Sequence, residues 1–89
     1  MAELGEARPR VAAGLEVDAV SDGYVVHDSR RDRIHYLNQT AAVVLELCNG
    51  TFAEKDMPLF LQRAFDLSEA PVSDVVTCLA SLRHEGLIE

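Results

Sequence analysis

The sequence contains few basic residues, and this scarcity argues against nucleic-acid binding. Eight Lys and Arg residues stand against fifteen Asp and Glu residues, which gives a formal net charge of −7. Proteins that bind nucleic acids draw much of their affinity from neutralising phosphates with Lys and Arg. We therefore expect no nucleic-acid partner.

Long apolar runs are missing as well, and cysteine is scarce. No stretch approaches the roughly 18 consecutive apolar residues of a membrane helix, and the N-terminus has no apolar run of signal-peptide length. Cys48 and Cys78 lie among apolar neighbours in helical patterns, where buried free thiols are expected rather than a disulfide. We expect a cytoplasmic protein without a membrane partner.

The motifs that usually carry catalysis are also missing. The chain has no G-x-S-x-G turn for a nucleophile, and neither G-x-G-x-x-G nor G-x-x-x-x-G-K-[ST] for phosphates. Its histidines, His27, His35 and His84, lack partners at the spacing of metal ligands. We expect no enzymatic activity from this chain alone, no cofactor and no metal.

The composition is that of an ordinary folded domain. Of the 89 residues, 48% are hydrophobic and 26% are charged, and this length allows one small core. Residues 1–14 are small, charged and aperiodic, which favours a flexible N-terminal tail. Residues 15–89 are expected to form the single domain.

Turn residues and short alternating segments predict three strands in the first half of the chain. Leu15–Val20 alternates apolar and acidic residues, and Ser21-Asp22-Gly23 supplies a tight turn. Residues 24–27 form the second strand, residues 28–32 the next turn and residues 33–37 the third strand. These strands form an antiparallel meander with at least one open edge.

Three helices are predicted after the strands. Asn38 is a good N-cap for a helix over residues 39–48, which Asn49-Gly50 ends. A second helix starts near Asp56, because Pro58 then falls in its first turn, and Pro71 opens a third helix that runs to about residue 85. The order indicates an α+β fold, a three-stranded antiparallel N-terminal meander followed by three helices.

A small meander with three helices is also compatible with a winged-helix DNA-binding regulator. A recognition helix should present Arg, Lys, Asn or Gln along its exposed face. The third helix offers Arg83 and His84 only in its last turn and has Asp74 near its start. The regulator therefore stays an alternative, which salt-sensitive binding to duplex DNA would test.

The third strand and the third helix could instead form a groove for a peptide. If they lie side by side, Val72, Val76 and Arg83 would line a groove whose other wall is the open strand edge. Such an edge can add an extended peptide as a further strand, although a covered core or pairing with a second copy as a homodimer fits the same pattern. The arginines of the second turn would be solvated or would attract acidic side chains of the peptide; they are Arg30, Arg31 and Arg33.

The register of this whole pattern, from about Leu15 to Ile88, resembles the PqqD-like family of precursor-peptide recognition elements. The similar pieces are Tyr36-Leu37-Asn38, residues 40–47 (TAAVVLEL), Asn49-Gly50, Phe65, Asp74-Val75, Leu79, Leu82 and Gly86-Leu87-Ile88. The chain departs from the family pattern at Pro58, and at Asp32, where a glycine is common.

The resemblance implies a winged-helix-like, non-catalytic peptide chaperone. Such a domain binds the leader of a ribosomally synthesised precursor peptide by strand addition and presents it to a modifying enzyme. That enzyme would be of the radical SAM type, as in pyrroloquinoline quinone biosynthesis, or a protease in a lasso-peptide system. The peptide-binding positions expected from the turn and the resemblance are Arg31, Arg33, Ile34, His35, Tyr36 and Leu37, with Val72, Val76, Leu79 and Arg83 on the third helix.

Overall fold

The structure, a computed structural model, describes residues 4–89 and contains three strands followed by three helices. The strands are β1 (Leu15–Val20), β2 (Gly23–Asp28) and β3 (Arg33–Asn38). The helices are α1 (Gln39–Leu47), α2 (Met57–Ala64) and α3 (Val72–His84), with one 3₁₀ turn at Glu54–Asp56 before α2. The predicted α+β order is confirmed.

The sheet is an antiparallel meander in the order β1-β2-β3. Tyr24 pairs with Leu37, and Gly23 pairs with Asn38. At Gly23 an added Cβ would stand 1.8 Å from the carbonyl oxygen of Leu37, so only glycine allows β2 to begin so close to the end of β3. Both outer strands, β1 and β3, have a free edge, as the sequence predicts.

Local sequence signals fix the beginnings of α1 and α2. The Asn38 side-chain oxygen accepts a hydrogen bond of 2.9 Å from the Ala41 backbone N–H, which is the predicted N-cap. Helix α2 begins at Met57 with Pro58 in its first turn, where proline costs no intrahelical hydrogen bond. The prediction that α2 starts near Asp56 is therefore confirmed.

Helix α1 packs against β2 and β3, and α2 and α3 pack against α1 and against each other, so that the core lies between the helices and one face of the sheet. Its side chains are apolar, with exposed fractions of 8% or less; they are Val26, Leu37, Val44, Leu45, Cys48, Met57, Leu61, Val75, Leu79, Leu82, Leu87 and Ile88. On the opposite face of the sheet, Ile34 and Tyr36 are 72% and 56% exposed. The side chains of β3 therefore alternate between the core face and an uncovered face.

The N-terminal segment differs from the expected flexible tail. Arg10 exchanges two backbone hydrogen bonds with Glu89, of 2.9 and 2.8 Å, and the Val11 N–H donates to the carbonyl of Cys48. Ala12 is 6% exposed. Residues 5–12 join the domain because their backbone groups bond to residues 48, 50, 54 and 55 and to the C-terminal residues 87 and 89. Residues 1–3 lie outside the described part of the chain.

The length and composition of the helices bear on membrane insertion. Within residues 4–89, no helix combines the length and the apolar character needed to cross a bilayer.

Candidate functional site

A cleft separates β3 from α3. The Cα atoms of the two elements stay more than 8 Å apart, and the space between them has a volume of about 540 Å³. Its lining comes from the end of β3, the start of α1 and one side of α3: Tyr36, Leu37, Asn38, Thr40, Ala41, Asp74, Thr77, Cys78, Ser81 and Leu82. Since β3 is an edge strand, its outer N–H and C=O groups have no strand partner beside this cleft among residues 4–89.

One stripe of α3 forms the far wall of the cleft. Asp74, Thr77, Cys78 and Ser81 follow the i, i+3, i+4, i+7 spacing of a single helix face. Their side chains are short, so they leave the space beside β3 open. Leu37, Ala41 and Leu82 add apolar lining deeper in the cleft, next to the core.

The β2–β3 turn is fastened to the end of α3, and this contact closes one end of the cleft. An Arg30 Nη donates to the carbonyl of Gly86 at 3.0 Å, and Arg31 Nη1 donates to the carbonyl of Glu85 at 2.9 Å. Gly86 has a φ of +73°, and a Cβ there would meet Arg31 Nη1 at 2.4 Å. Glycine at this position both ends the helix and lets the arginine approach.

Asp28 anchors the same turn from below. Its carboxylate is 0% exposed and accepts three hydrogen bonds from Arg30: from the backbone N–H at 3.0 Å, from Nε at 3.0 Å and from Nη2 at 3.1 Å. The Arg30 guanidinium holds the pKa of the Asp28 carboxyl below its ordinary value. Arg30 is therefore a structural residue.

These contacts bear on the expectation that the turn arginines attract a peptide. The Arg30 guanidinium donates to Asp28 and to the Gly86 carbonyl, whereas Arg31, which is exposed, donates to the Glu85 carbonyl through Nη1. Arg33 makes a longer ion pair, 3.7 Å from Nη1 to Glu85 Oε2, and its side chain is 64% exposed. The Arg33 side chain is therefore more exposed than that of Arg30, which is 39% exposed.

The remaining predicted residues of β3 divide between its two faces. Leu37 is buried at the cleft, and His35 lies half-buried with Nδ1 4.0 Å from Glu85 Oε2. The buried Nε2 of His35 has no hydrogen-bond partner within the described residues. Ile34 and Tyr36 point their side chains to the uncovered face, so only their backbones border the edge.

The structure places the predicted residues of α3 away from the cleft. Leu79 is 1% exposed in the core, and the Arg83 Nη2 donates to Glu54 Oε2 at 2.5 Å, on the side of the turn before α2. Val72 and Val76 line an adjacent hollow formed by residues 69–74, 76 and 77, which shares only Asp74 and Thr77 with the cleft. That hollow borders the connector and no strand edge.

The difference between the expected and the observed lining of the cleft has a simple geometric cause. Successive residues of a helix point about 100° apart around its axis. The apolar residues Val72 and Val76 therefore lie on one side of the buried stripe of α3, and the residues that line the cleft lie on the other side. The sequence reasoning chose the apolar flank, whereas the structure turns the short polar flank toward β3. The i, i+3, i+4, i+7 recurrence of small polar residues was the available signal.

The two cysteines of this region are free thiols, as expected. Burial raises the pKa of Cys48 to about 12 and also raises the pKa of Cys78. Both side chains are therefore neutral and weakly nucleophilic near pH 7. Within residues 4–89, His, Cys, Asp and Glu residues form no group of three or more that could hold a metal ion.

Comparison with solved structures shows that this fold also occurs in another protein. The chain is similar to a protein described as "Lasso peptide synthetase B1 complexed with the leader peptide", with a TM-score of 0.73 and 23% sequence identity. The alignment covers 93% of this chain and 99% of that one. At this identity the likeness establishes the fold. A search of curated proteins gives no match.

Comparison with protein families gives a match over most of the chain. The model described as "Coenzyme PQQ synthesis protein D (PqqD)" matches residues 23–88, from the start of β2 to the strand-like end that pairs with Val11. The matched range includes β3, α3 and every residue that lines the cleft. The chain therefore belongs to the PqqD family.

Proposed function

We propose that this protein is a peptide chaperone without catalytic activity of its own. It binds the leader of a ribosomally synthesised precursor peptide as a fourth strand against β3 and presents the peptide to a modifying enzyme. The observation that carries the proposal is a free strand edge beside a cleft of about 540 Å³ with short side chains on its far wall. Membership of the PqqD family supports it.

The physical basis of binding is strand addition. The outer N–H and C=O groups of β3 would pair with the peptide backbone, which provides affinity for many sequences. Every second peptide side chain would point toward Leu37, Ala41 and Leu82, which supply an apolar floor for selectivity. The similar solved structure is described as a complex with a leader peptide, which supports a peptide as the occupant.

In this proposal β3 acts mainly through the backbone groups at its edge, which belong to Arg33, Ile34, His35, Tyr36 and Leu37. On α3 the proposed contacts to the peptide come from the stripe that lines the cleft, with Thr77, Cys78 and Ser81 at its centre, and not from the residues expected from the sequence. Neutral thiols and a shallow open cleft favour binding over catalysis.

The partner enzyme is the finer part of the proposal. The family description names the synthesis of coenzyme PQQ, which favours a radical SAM enzyme as recipient of the peptide. The similar lasso peptide synthetase favours a leader-recognition protein that acts with a protease. Co-purification of the tagged chain and leader with each enzyme encoded nearby distinguishes these two kinds of partner. The proposed location of the chain and its partner enzyme is the cytoplasm, because ribosomes make the precursor peptide there.

A pair of matched substitutions tests the site. Ser81 and Ser73 are both exposed on α3, but Ser81 lines the cleft and Ser73 lines the adjacent hollow. Ser81→Trp should fill the cleft and weaken binding of the leader at least tenfold, whereas Ser73→Trp should leave affinity within about twofold. Calorimetry with the leader of the short precursor encoded beside this chain's gene measures both.

The same two variants can also contradict the proposed site. Equal affinity of Ser81→Trp and Ser73→Trp for the leader, with both variants folded by circular dichroism, would place the peptide elsewhere on the surface.

A further inference from the structure

Opposite charges lie at the two ends of the path that a strand added to β3 would follow. Asp74 lies in the lining at the end where α3 begins, and its side chain is exposed. Arg33 begins β3 at the other end, where its side chain is 64% exposed. An incoming strand would therefore meet a carboxylate at one end of its path and a guanidinium at the other.

The neighbouring charges leave this difference in place. Near Arg33, the Glu85 carboxylate lies 3.7 Å away, and Arg31 adds a second guanidinium bound to the Glu85 carbonyl. The closed end thus carries the cations of Arg31 and Arg33 and the anions of Glu85 and Asp32, together with His35 and the paired charges of Asp28 and Arg30, so it is less negative than the end at Asp74. At the open end, Asp74 borders neutral Thr77 in the cleft, and Glu69 in the adjacent hollow adds a further negative charge.

The length of the path sets the spacing of complementary charges on a peptide. From Arg33 to Leu37 a strand advances about 13 Å, and from Asp74 to the end of α3 a helix advances about 15 Å. Four to five extended residues cover that distance. Because side chains on one face of a strand recur every second residue, three peptide side chains would face α3 along the way.

The direction of the peptide follows from the sheet. All strands of the sheet are antiparallel, and antiparallel pairing is somewhat more stable per residue than parallel pairing. A strand added antiparallel to β3 would begin near Asn38 and Asp74 and end near Arg33. Its N-terminal half would lie beside the Asp74 carboxylate, and its C-terminal half would approach the exposed Arg33 guanidinium.

We propose that the cleft selects peptide segments by the order of their charges. The favoured segment carries a basic residue, then an apolar residue about two positions later, then an acidic residue about two positions after that. Asp74 attracts the basic side chain, the floor of Leu37, Ala41 and Leu82 receives the apolar one, and Arg33 attracts the acidic one. This inference rests on the proposed function, because it requires a peptide strand beside β3.

The size of the effect is bounded by the exposure of the charges. Exposed ion pairs contribute modestly and weaken with salt, since the Debye length falls to about 3 Å at 1 M. With two such pairs, the favoured charge order should bind about fivefold more tightly than the reversed order at low ionic strength. The advantage should shrink to less than about twofold at 0.5 M salt.

The experiment uses a display library of random ten-residue peptides. It is selected in parallel on the wild-type chain, on Ser81→Trp, and on the double variant Asp74→Asn, Arg33→Gln. Peptides enriched on the wild type and depleted on Ser81→Trp are those that occupy the cleft. The most enriched sequence is then synthesised in its own order and with its basic and acidic residues exchanged, and both affinities are measured against salt.

Three outcomes are distinguishable. Cleft-dependent peptides that share the basic–apolar–acidic order, and lose that preference on the double variant, support the inference. Cleft-dependent peptides with no charge order, or with the acidic residue first, overturn it while the proposed function stands. No cleft-dependent enrichment overturns both. Asp18→Asn, which removes an exposed acid from β1, is the matched control and should keep the charge order.

Discussion

Arg30 illustrates how one side chain can join two distant parts of this fold. Its guanidinium binds the buried Asp28 carboxylate beneath the turn and the carbonyl of Gly86, which lies 56 residues away in sequence. Hydrogen bonds between ionised partners are stronger than neutral ones, and a buried carboxylate without them would be strongly unfavourable. The pair therefore holds the turn, and with it the start of β3, against the end of α3.

The Asp28 carboxylate makes part of the stability depend on pH. Its pKa is lower in the folded chain than in the unfolded chain, because the Arg30 guanidinium favours the charged form. The stabilisation is therefore complete above the ordinary aspartate pKa of about 4 and is lost as the pH falls through the lower folded value. The difference in unfolding free energy between wild type and Asp28→Asn should shrink on acidification below about pH 4.

Urea denaturation at a series of pH values measures this difference. Asp32→Asn is the matched control, since Asp32 is exposed and asparagine tolerates its φ of +52°. A gap between wild type and Asp28→Asn that stays constant from pH 7 to pH 3 would contradict the role given to this ion pair.

At the scale of elements, α1 connects the site to the core. It follows β3 without a loop, so the direction of β3 is fixed by the first turn of the helix. Thr40 and Ala41 of that turn line the cleft, while Ala42, Val44 and Leu45 are buried. A change at the cap should therefore affect both stability and the position of the strand edge.

The N-cap of α1 gives a direct test. Asn38→Ala removes the acceptor of the Ala41 N–H and should lower the unfolding free energy by about 1 kcal/mol, measured by chemical denaturation. Asn38→Asp keeps an acceptor and should cost less than half as much. If alanine and aspartate variants were equally stable, the cap would not be a determinant of this junction.

The sequence predicts these elements better than it predicts the site. Short-range signals suffice for Asp22-Gly23, Asn38 and Pro58, because each acts within a few residues of its position. The donors of Arg30 and Arg31 go to carbonyls more than 50 residues away, which no local pattern reveals. Likewise, Val72 and Thr77 lie on opposite flanks of the buried stripe of α3, and only the packing decides which flank faces β3.

At the scale of the whole molecule, the two chain ends support each other. Residues 5–12 run along the loop after α1 and along the C-terminus, through hydrogen bonds that include Gly50 N–H to Pro9 and Ala12 N–H to Leu87. Val11 packs against the core, and Leu87 and Ile88 are buried beside it. The sequence of this segment has no periodicity that indicates its role. Its hydrogen-bond and bridge partners lie far away in the sequence, at positions 48–50, 54, 55 and 87–89.

Removal of residues 1–12 should therefore destabilise the domain. The loss of buried apolar contacts and backbone hydrogen bonds should lower the unfolding free energy by at least about 2 kcal/mol. Amide exchange should also show lost protection at Gly50 and Glu89, whose N–H groups donate to this segment, while Val75, whose donor bonds to Pro71, stays protected. An unchanged denaturation midpoint would show that the segment is dispensable.

The free edge of β3 is the feature on which the account of the whole molecule depends. A second copy could in principle pair with it, and so could an edge of another protein. The acidic net charge of −7 opposes close association of two copies, whereas a peptide with charges ordered along the cleft would be attracted. The edge is therefore expected to serve a peptide rather than a dimer.

The most direct test is amide hydrogen exchange of the chain with and without the leader of its precursor, resolved by residue. Strand addition predicts slower exchange at alternate amides of Arg33–Asn38, those that face outward from β2, and almost no change in Leu15–Val20 of the other edge strand. Bound leader without protection in β3, or with protection confined to β1 or to residues 5–12, would contradict the central claim.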